Sequence, residues 1–321
     1  MKEKQEINII GSGVIGLTTA VLLAKNGYKV RVYTKELAKD TTSGVAAAIW
    51  FPYNAAPKEK VAQWSAFSYD YFQKLATISS SGVKLVSLTI IEKDIKACWW
   101  LAAIPNNKYK KLNKAALPKD CNLGFEIVVP FIESTIFLSY LETELKKFQG
   151  EIILQKINTF NDLDSTIPIV NCSGLGAIEL CNDKELFPVK GQIVTVAKQG
   201  NVNSVIINYP VNKTGEALSY MVVRNNDIVL GGTAIIGDFD IKANPIISQK
   251  IIKRCKNIAP NLKDTTIIQE KVGLRPKRTR IRLEKKNNII HNYGHGGAGF
   301  TVSWGCAAAV LRLINKTLPL A

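Results

Sequence analysis

The chain has 321 residues, 46% of them hydrophobic, enough for one large core or two smaller ones, and its six cysteines are scattered with no CxxC pair. That usage argues against a disulfide framework, which belongs to much shorter secreted chains, and for a reduced, cytoplasmic protein. Lysine and arginine total 42 against 26 acids, a net +16 that attracts nucleic acid, anionic lipid or anionic substrates, but neither basic cluster (108–119 and 277–286) has the interleaved aromatics of a nucleic-acid platform, so both read as solvated surface.

The N-terminus enters a globular pattern at once, INIIG (7–11), without the layout of a signal peptide. INIIG is a short apolar strand, VIGLTTAVLLAKNGY (14–28) has helical spacing ending at Gly27, and KVRVYT (29–34) is the next strand. Together they form a β-α-β unit of about thirty residues. GSGVIG sits between strand and helix. Gly11 suits the tight turn, Gly13 leaves room for a pyrophosphate against the backbone, and Gly16 allows close helix–strand packing. The phosphate would meet the positive end of the helix dipole. An acid about 20 residues further on usually binds a ribose hydroxyl, and Glu36 is the nearest candidate, a solvated surface acid being the competing reading.

Further along, 148–163 reads as strand and turn, and 167–180 as a buried strand running into a glycine-rich turn and helix. Segments 82–92, 191–198 and 217–233 alternate as strands without helices between them, which predicts an antiparallel sheet. Helix punctuation recurs at 253–262. No continuous apolar run of ~18 residues suggests a membrane span, and the terminal LPLA is not a peroxisomal address. HNYGHGGAGFTVSWG (291–305) holds both histidines, His291 and His295. It is too glycine-rich to present them on a helix, and no carboxylate or cysteine lies close in sequence, so no metal site is expected. A GxSxG elbow is absent, which leaves no sign of a serine hydrolase.

The pieces GSGVIGLTTA, TTSGVAAAIWFPY, VNCSG, KGQI, LGGT, VGLRPKRTRIRLE and HNYGHGGAGFTVSWG, in this order, resemble the D-amino-acid oxidase family, and the similarity runs nearly end to end. The resemblance implies a Rossmann-like FAD-binding domain (1–54, 132–190 and 265–321) interleaved with a smaller substrate domain built on an antiparallel sheet (55–131 and 191–264). It implies oxidative deamination of a D-amino acid to a 2-oxo acid, ammonia and hydrogen peroxide, with FAD as cofactor and dioxygen as acceptor. Residues 296–300 become a glycine loop before a helix whose N-terminus faces the pyrimidine edge of the flavin. The histidines become packing groups rather than a catalytic base.

The same resemblance implies that Arg275 pairs with the substrate α-carboxylate, a planar always-charged fork suiting a carboxylate better than lysine. Tyr220 reaches that carboxylate as well, and the Gly297 carbonyl accepts from the substrate amine. FAD would be held, mostly through main-chain groups, by Gly11, Ser12, Gly13, Val14, Ile15, Gly16, Lys35 or Glu36, Thr41, Thr42, Ser43, Ala47, Ala48, Ile157, Ser173, Gly296, Gly297, Gly299 and Thr301. A homodimer is compatible with this picture, a membrane is not part of it, and the basic charge leaves nucleic acid open. Several positions depart from the family pattern. Lys35 stands at the ribose acid with Glu36 one place on, and Ala48 stands where glycine is common. Phe51 follows the tryptophan, Glu216 replaces a second tyrosine, and Ala234 stands where D-aspartate oxidases carry arginine. These changes bear on substrate choice more than on FAD. Phe51 and Ala234 predict neutral, apolar substrates, with Lys277 as the cation that could overturn this. Glycine, sarcosine or a modified tRNA base are alternative substrates on the same fold, and a non-catalytic nucleotide-binding protein is a further alternative.

Overall fold

The computed structural model describes residues 5–92, 95–117, 123–200, 202–207 and 216–315. In chain order the elements are β1 (Glu6–Ile10), α1 (Val14–Lys25), β2 (Lys29–Thr34), α2 (Thr42–Val45), α3 (Lys58–Leu75), β3 (Val83–Glu92), β4 (Tyr109–Lys111), β5 (Leu123–Ile132), α4 (Ser134–Lys147), β6 (Glu151–Leu154), β7 (Ile169–Asn171), α5 (Ala177–Leu180), β8 (Phe187–Ala197), β9 (Val205–Ile207), β10 (Glu216–Val223), β11 (Asp227–Thr233), β12 (Ile235–Ile236), α6 (Pro245–Ile258), β13 (Ile267–Lys286), β14 (Ile289–His295) and α7 (Gly299–Asn315). The chain divides into two compact units. The first is Met1–Val83, Ile132–Phe187 and Pro276–Ala321, and the second is Lys84–Phe131 and Pro188–Arg275.

The first unit is built on a parallel sheet ordered β6-β2-β1-β7-β14. The C-terminal half of β13 runs antiparallel along β14. Strand β1 is apolar and almost wholly buried because both faces of a parallel sheet are covered. Helix α1 is buried on nearly every side, so its sequence is apolar all round rather than amphipathic. It stops at Asn26 because Gly27 takes φ +90°, letting the Gly27 and Tyr28 N–H groups return to Ala24 O (3.0 Å) and Leu23 O (3.2 Å).

Helix α3 falls in a segment expected with the smaller domain, yet it belongs to the first unit. Its residues explain why. Tyr71 stacks on Trp304 of α7 with centroids 3.8 Å apart, and Ser68 Oγ accepts from Gly305 N at 3.0 Å. A side chain at Gly305 would strike the Trp64 backbone, so glycine is what lets these two helices touch. In the other direction, 267–275 of β13 falls to the second unit although it was expected with the first. Residues 296–315 have mean hydropathy 1.4 and are long and apolar enough to cross a membrane, although no span is expected from the sequence. Two-thirds of that stretch, 67%, is buried inside the protein, the pattern of a core helix.

In the second unit, β10 pairs antiparallel with β11 and β9, and β11 pairs antiparallel with β8. Strand β3 lies parallel to β9, and β4 pairs with β5. Val194, Val196, Met221, Ile228 and Leu230 from the sheet pack against Ile251, Ile252 and Cys255 of α6. Asn244 caps that helix, accepting from Ile246 N and Ile247 N, with Pro245 at its first turn.

The basic stretch 277–286 is only in part the solvated patch its composition suggests: Arg280 and Lys286 are exposed. It lies in β13, where Arg278 and Arg282 are mostly buried. Asp183 accepts from Arg278 Nε at 3.0 Å and from Tyr293 OH at 2.7 Å, and Arg282 NH1 lies 3.6 Å from it. Burial alone would push the Asp183 carboxyl up, but Tyr293, the Glu185 main-chain N–H and Arg278 together hold it below the usual carboxylate range. In the other basic stretch, residues 118–119 lie outside the described residues.

Candidate cofactor cradle and carboxylate anchor

In the first unit the sequence-derived residues Gly11 to Gly16 lie where β1 gives way to α1. Gly11 has φ +105°, and a Cβ there would sit 2.5 Å from Cys172 O. A Cβ on Gly16 would collide with the Gly11 carbonyl, so these two glycines serve packing. Gly13 differs. Its backbone is ordinary (φ −66°), and an added Cβ would meet only the Ser43 hydroxyl at 3.2 Å and Thr41 Oγ1 at 3.9 Å. Gly13 is the N-cap of α1 and no side chain caps the helix from there; Ser43 Oγ takes the Val14 N–H at 3.0 Å. The helix end that meets an anion most favourably is thus bordered by glycine and two hydroxyl residues.

Ser12 Oγ lies 2.8 Å from Thr34 Oγ1, and both hydroxyls bond the Glu36 carbonyl (3.2 and 2.9 Å). This ties the end of β2 to the glycine turn. Thr34 was not singled out from the sequence; a hydroxyl at the last strand position is its only signal. Lys35 and Glu36 both follow β2 and lie 4.0 Å apart, Lys35 exposed and Glu36 half-buried, with Glu36 fixed through its main-chain carbonyl. Thr41 bonds Ala38 O at 2.7 Å, Thr42 begins α2, and Ala47 and Ala48 follow it. Ala48 has φ +50°, the left-handed region where glycine is at ease. That conformation costs an L-residue about 1–2 kcal/mol, and glycine's looser unfolded chain returns about 0.5–1. Ala48→Gly should therefore raise stability by about 0.5 kcal/mol, read as a shift of the urea midpoint at constant slope.

Ser173, after β7, has a buried hydroxyl with no hydrogen-bond partner among the described residues, and Gly174 beside it lies 3.8 Å from Pro276, counted from an added Cβ. Ile157 packs with Ile10, Leu163 and Ile169, so any contact it makes to a ligand is through its backbone. At the end of β14, Gly296 takes φ +56°, residues 296–298 make one 3-10 turn through Gly297, and α7 starts at Gly299. Gly299 lies near Val14, 3.7 Å from its Cγ1 to an added Cβ, so the N-termini of α1 and α7 converge. The Thr301 hydroxyl is occupied elsewhere: it accepts from Phe51 N (3.1 Å) and donates to Phe51 O (3.0 Å). Only its main chain remains for a cofactor. A glycine-bordered helix end, an orphaned serine hydroxyl and a second converging helix N-terminus fit an elongated dinucleotide such as FAD.

Both histidines are buried, His291 4% and His295 3% exposed. Burial, assisted by Arg282, pushes His291 down to about 4, and burial alone pushes His295 down to about 3. Both are neutral at working pH. Their folded values lie below the unfolded ~6.5, so between pH ~6.5 and ~4 the unfolded chain binds more protons and stability falls with acidity. Two such groups give a slope of about 2.7 kcal/mol per pH unit. Urea unfolding at pH 7 and pH 5 checks this, and His291→Phe with His295→Phe should flatten the slope.

In the second unit Arg275 and Tyr220 occupy spaces that glycines create. The Arg275 guanidinium lies over Gly191, where any Cβ would overlap it, and the Tyr220 ring lies over Gly231, its antiparallel partner, in the same way. Arg275 NH1 donates to Thr233 O at 2.8 Å, while the Thr233 hydroxyl accepts from Gln192 N at 2.8 Å. Arg275 is partly buried and makes no ion pair among the described residues. Among the described residues this half-buried guanidinium is held by one carbonyl, and a planar fork with donors to spare can pair with a carboxylate. Gly191, Gly231 and Thr233 position these side chains without having been singled out from the sequence; for the two glycines the signal is glycine inside a strand, which marks a close approach. Ala234 is buried, and the side chain of Glu216 lies outside the described residues. Lys277, in the first unit, directs its ammonium to the Asn54 main-chain carbonyl, and burial lowers its pKa.

A sequence profile of the family described as FAD dependent oxidoreductase matches residues 6–93 and 140–313. The chain belongs to that family. This FAD dependent oxidoreductase is 35% identical over 318 residues to a D-amino-acid oxidase of Rubrobacter xylanophilus, covering 97% of this chain and 96% of the relative. It is 33% identical to a D-amino-acid oxidase of Streptomyces coelicolor, covering 97% of each. Against a D-aspartate oxidase of Homo sapiens the identity is 30%, over 97% of this chain and 94% of the relative. A solved glycine oxidase from Bacillus cereus superposes with TM-score 0.78 at 18% identity, covering 98% of this chain and 96% of that one, and shows that the oxidoreductase shares its fold.

Proposed function

We propose that this oxidoreductase carries out FAD-dependent oxidative deamination of D-amino acids, giving a 2-oxo acid, ammonia and, with dioxygen as acceptor, hydrogen peroxide. Arg275 carries the reading: a guanidinium with no acidic partner among the described residues, laid over Gly191 and held by Thr233 O, in a chain whose curated relatives are named D-amino-acid oxidases. FAD, when bound, supplies the two-electron redox chemistry. The protein's part is to bind and orient. Gly13 and the start of α1 hold the pyrophosphate, and Ser173, Gly296, Gly297 and the first turn of α7 hold the rest of the cofactor. Arg275 pairs with the substrate α-carboxylate, with Tyr220 as second contact and the Gly297 carbonyl as acceptor for the amine. Burial makes both histidines weak bases, so neither is assigned a proton from substrate. Orientation is worth several kcal/mol of the barrier once the reacting bond is aligned.

The substrate side chain is neutral and apolar in this reading. Phe51 and Ala234 offer no charge, and the Lys277 ammonium is engaged by Asn54. An unpaired second carboxylate costs several kcal/mol to bury. Apolar D-amino acids should outrun D-aspartate by about tenfold or more in kcat/KM, for which ~1.4 kcal/mol suffices. Peroxide release from D-alanine, D-methionine, D-phenylalanine, D-aspartate, glycine and sarcosine tests the proposal. D-aspartate as best substrate sinks the apolar reading, and glycine or sarcosine as best sinks the D-amino-acid reading. The free cysteines fit a reducing, cytoplasmic setting, and the proposed assembly is a homodimer.

A further inference from the structure

Where β11 leaves β8, main-chain groups change partners. The pairing of the two strands runs from Asp227–Ala197 to Gly231–Ile193 and ends there. The next β8 N–H, that of Gln192, donates to the Thr233 hydroxyl at 2.8 Å rather than to a β11 carbonyl. Two carbonyls at the end of β11 serve side chains instead. Gly232 O accepts from Arg254 NH2 at 3.0 Å, and Thr233 O accepts from Arg275 NH1 at 2.8 Å. How Thr233 is held therefore sets the acceptor on which the Arg275 guanidinium rests. The Gln192 side chain is fully buried and its amide is satisfied. Nε2 donates to Asn244 O (2.8 Å) and to Ser248 Oγ (2.7 Å), and Oε1 accepts from Asn244 N (2.9 Å). Ser248, also fully buried, donates to a carboxylate oxygen of Glu270, which lies on β13, the strand that carries Arg275. Successive side chains of a strand point to opposite faces. Gln192 faces α6, so Gly191 faces the other way, and the Arg275 guanidinium lies over Gly191. The sheet thus stands between the Gln192 amide and anything that binds Arg275.

We propose that Gln192 is a positioning residue for the carboxylate anchor. Its main-chain N–H fixes Thr233, whose carbonyl Arg275 rests on, and its side chain ties β8, the start of α6 and, through Ser248 and Glu270, β13 to one point. The proposal rests on the D-amino-acid reading given above and adds the residue that aims the guanidinium without touching substrate. A bidentate pair with a carboxylate depends on both the position and the plane of the fork. A buried, fully satisfied network holds such a geometry rigidly, and it relaxes when one member is removed. With the amide gone, Ser248 and both main-chain groups of Asn244 lose a buried partner, and the strands that carry Thr233 and Arg275 lose their common tie.

A double-mutant cycle on the FAD-loaded enzyme tests this. Gln192→Met keeps the side-chain volume and removes its three hydrogen bonds. KM for D-alanine and the inhibition constant of butyrate, a carboxylate without an amine, should rise together by about tenfold, with kcat largely kept and FAD affinity unchanged. In the Arg275→Ala background the same substitution should leave kcat/KM where it is, because no guanidinium remains to be aimed. Unchanged KM and inhibition constant in the single variant, or an equal loss in both backgrounds, overturns the proposal. A Gln192 that served stability alone would lower the urea midpoint and move neither constant, which is the same refutation. Arg275→Ala with wild-type kcat/KM would overturn the reading beneath it instead. Circular dichroism and the flavin spectrum check that each variant is folded and loaded. If Gln192→Met is not, Ser248→Ala carries the same cycle, with a rise of about threefold expected in both constants and no rise as the refuting result.

Discussion

Arg275→Ala should lose at least 10²–10³-fold in kcat/KM on D-amino acids while binding FAD as the wild type does. Among the described residues the partly buried guanidinium makes one hydrogen bond, to Thr233 O, and no ion pair, so its removal strands no acid there and the second unit should keep its fold. On the proposed role the variant loses the partner of a buried substrate carboxylate, and truncating one side of such a pair costs about 2–5 kcal/mol. At ~1.4 kcal/mol per tenfold, the upper part of that range gives the stated loss. Arg275→Lys should recover little. An ammonium cannot lie flat over Gly191 or make a bidentate pair. The decisive measurement is steady-state peroxide release with the flavin content of each variant determined from its spectrum. Unchanged kcat/KM with D-alanine would remove Arg275 from the site.

Gly13→Val should yield folded protein without FAD. The backbone at Gly13 suits any L-residue, and a Cβ there meets only the Ser43 and Thr41 hydroxyls, at 3.2 and 3.9 Å. The first unit therefore tolerates the change far better than a side chain at Gly16, which would strike the Gly11 carbonyl. The branched side chain instead fills the space in front of α1 that a pyrophosphate needs. Titrating apoprotein with FAD by flavin fluorescence should show an affinity reduced by about 10³-fold, roughly 4 kcal/mol, with the circular dichroism of the wild type retained. A variant that purifies yellow and titrates normally would mean that the GSGVIG turn does not hold phosphate.

The two experiments probe parts of the protein that were unequally legible in the sequence. The β-α-β unit was readable because everything that makes it is local: apolar strands, one apolar helix, and three glycines whose spacing is set by a turn. Gly27 marked the end of α1 for the same reason. The antiparallel strands around 191–233 showed themselves by alternation, a two-residue signal. Arg275 and Tyr220 were named by resemblance to a family, without any knowledge of what holds them.

What tertiary structure alone decided is everything that depends on distant partners. Arg278 and Arg282 looked like surface charge because their partner Asp183 lies 95 residues from Arg278 in the chain; only folding brings the three together and buries them. The Thr301 hydroxyl bonds the backbone of Phe51, 250 residues away, a contact that no local pattern announces. Helix α3 joined the first unit because Gly305 permits contact with Trp64 and Trp304 stacks on Tyr71, which no periodicity within 58–75 can announce. The sequence by itself determined the glycine cradle and the placement of apolar strands, since short-range sterics and periodicity suffice for both. The position of the Arg275 guanidinium over Gly191, and the neutral state of the two histidines, were settled by burial and by neighbours that the chain reaches only when folded.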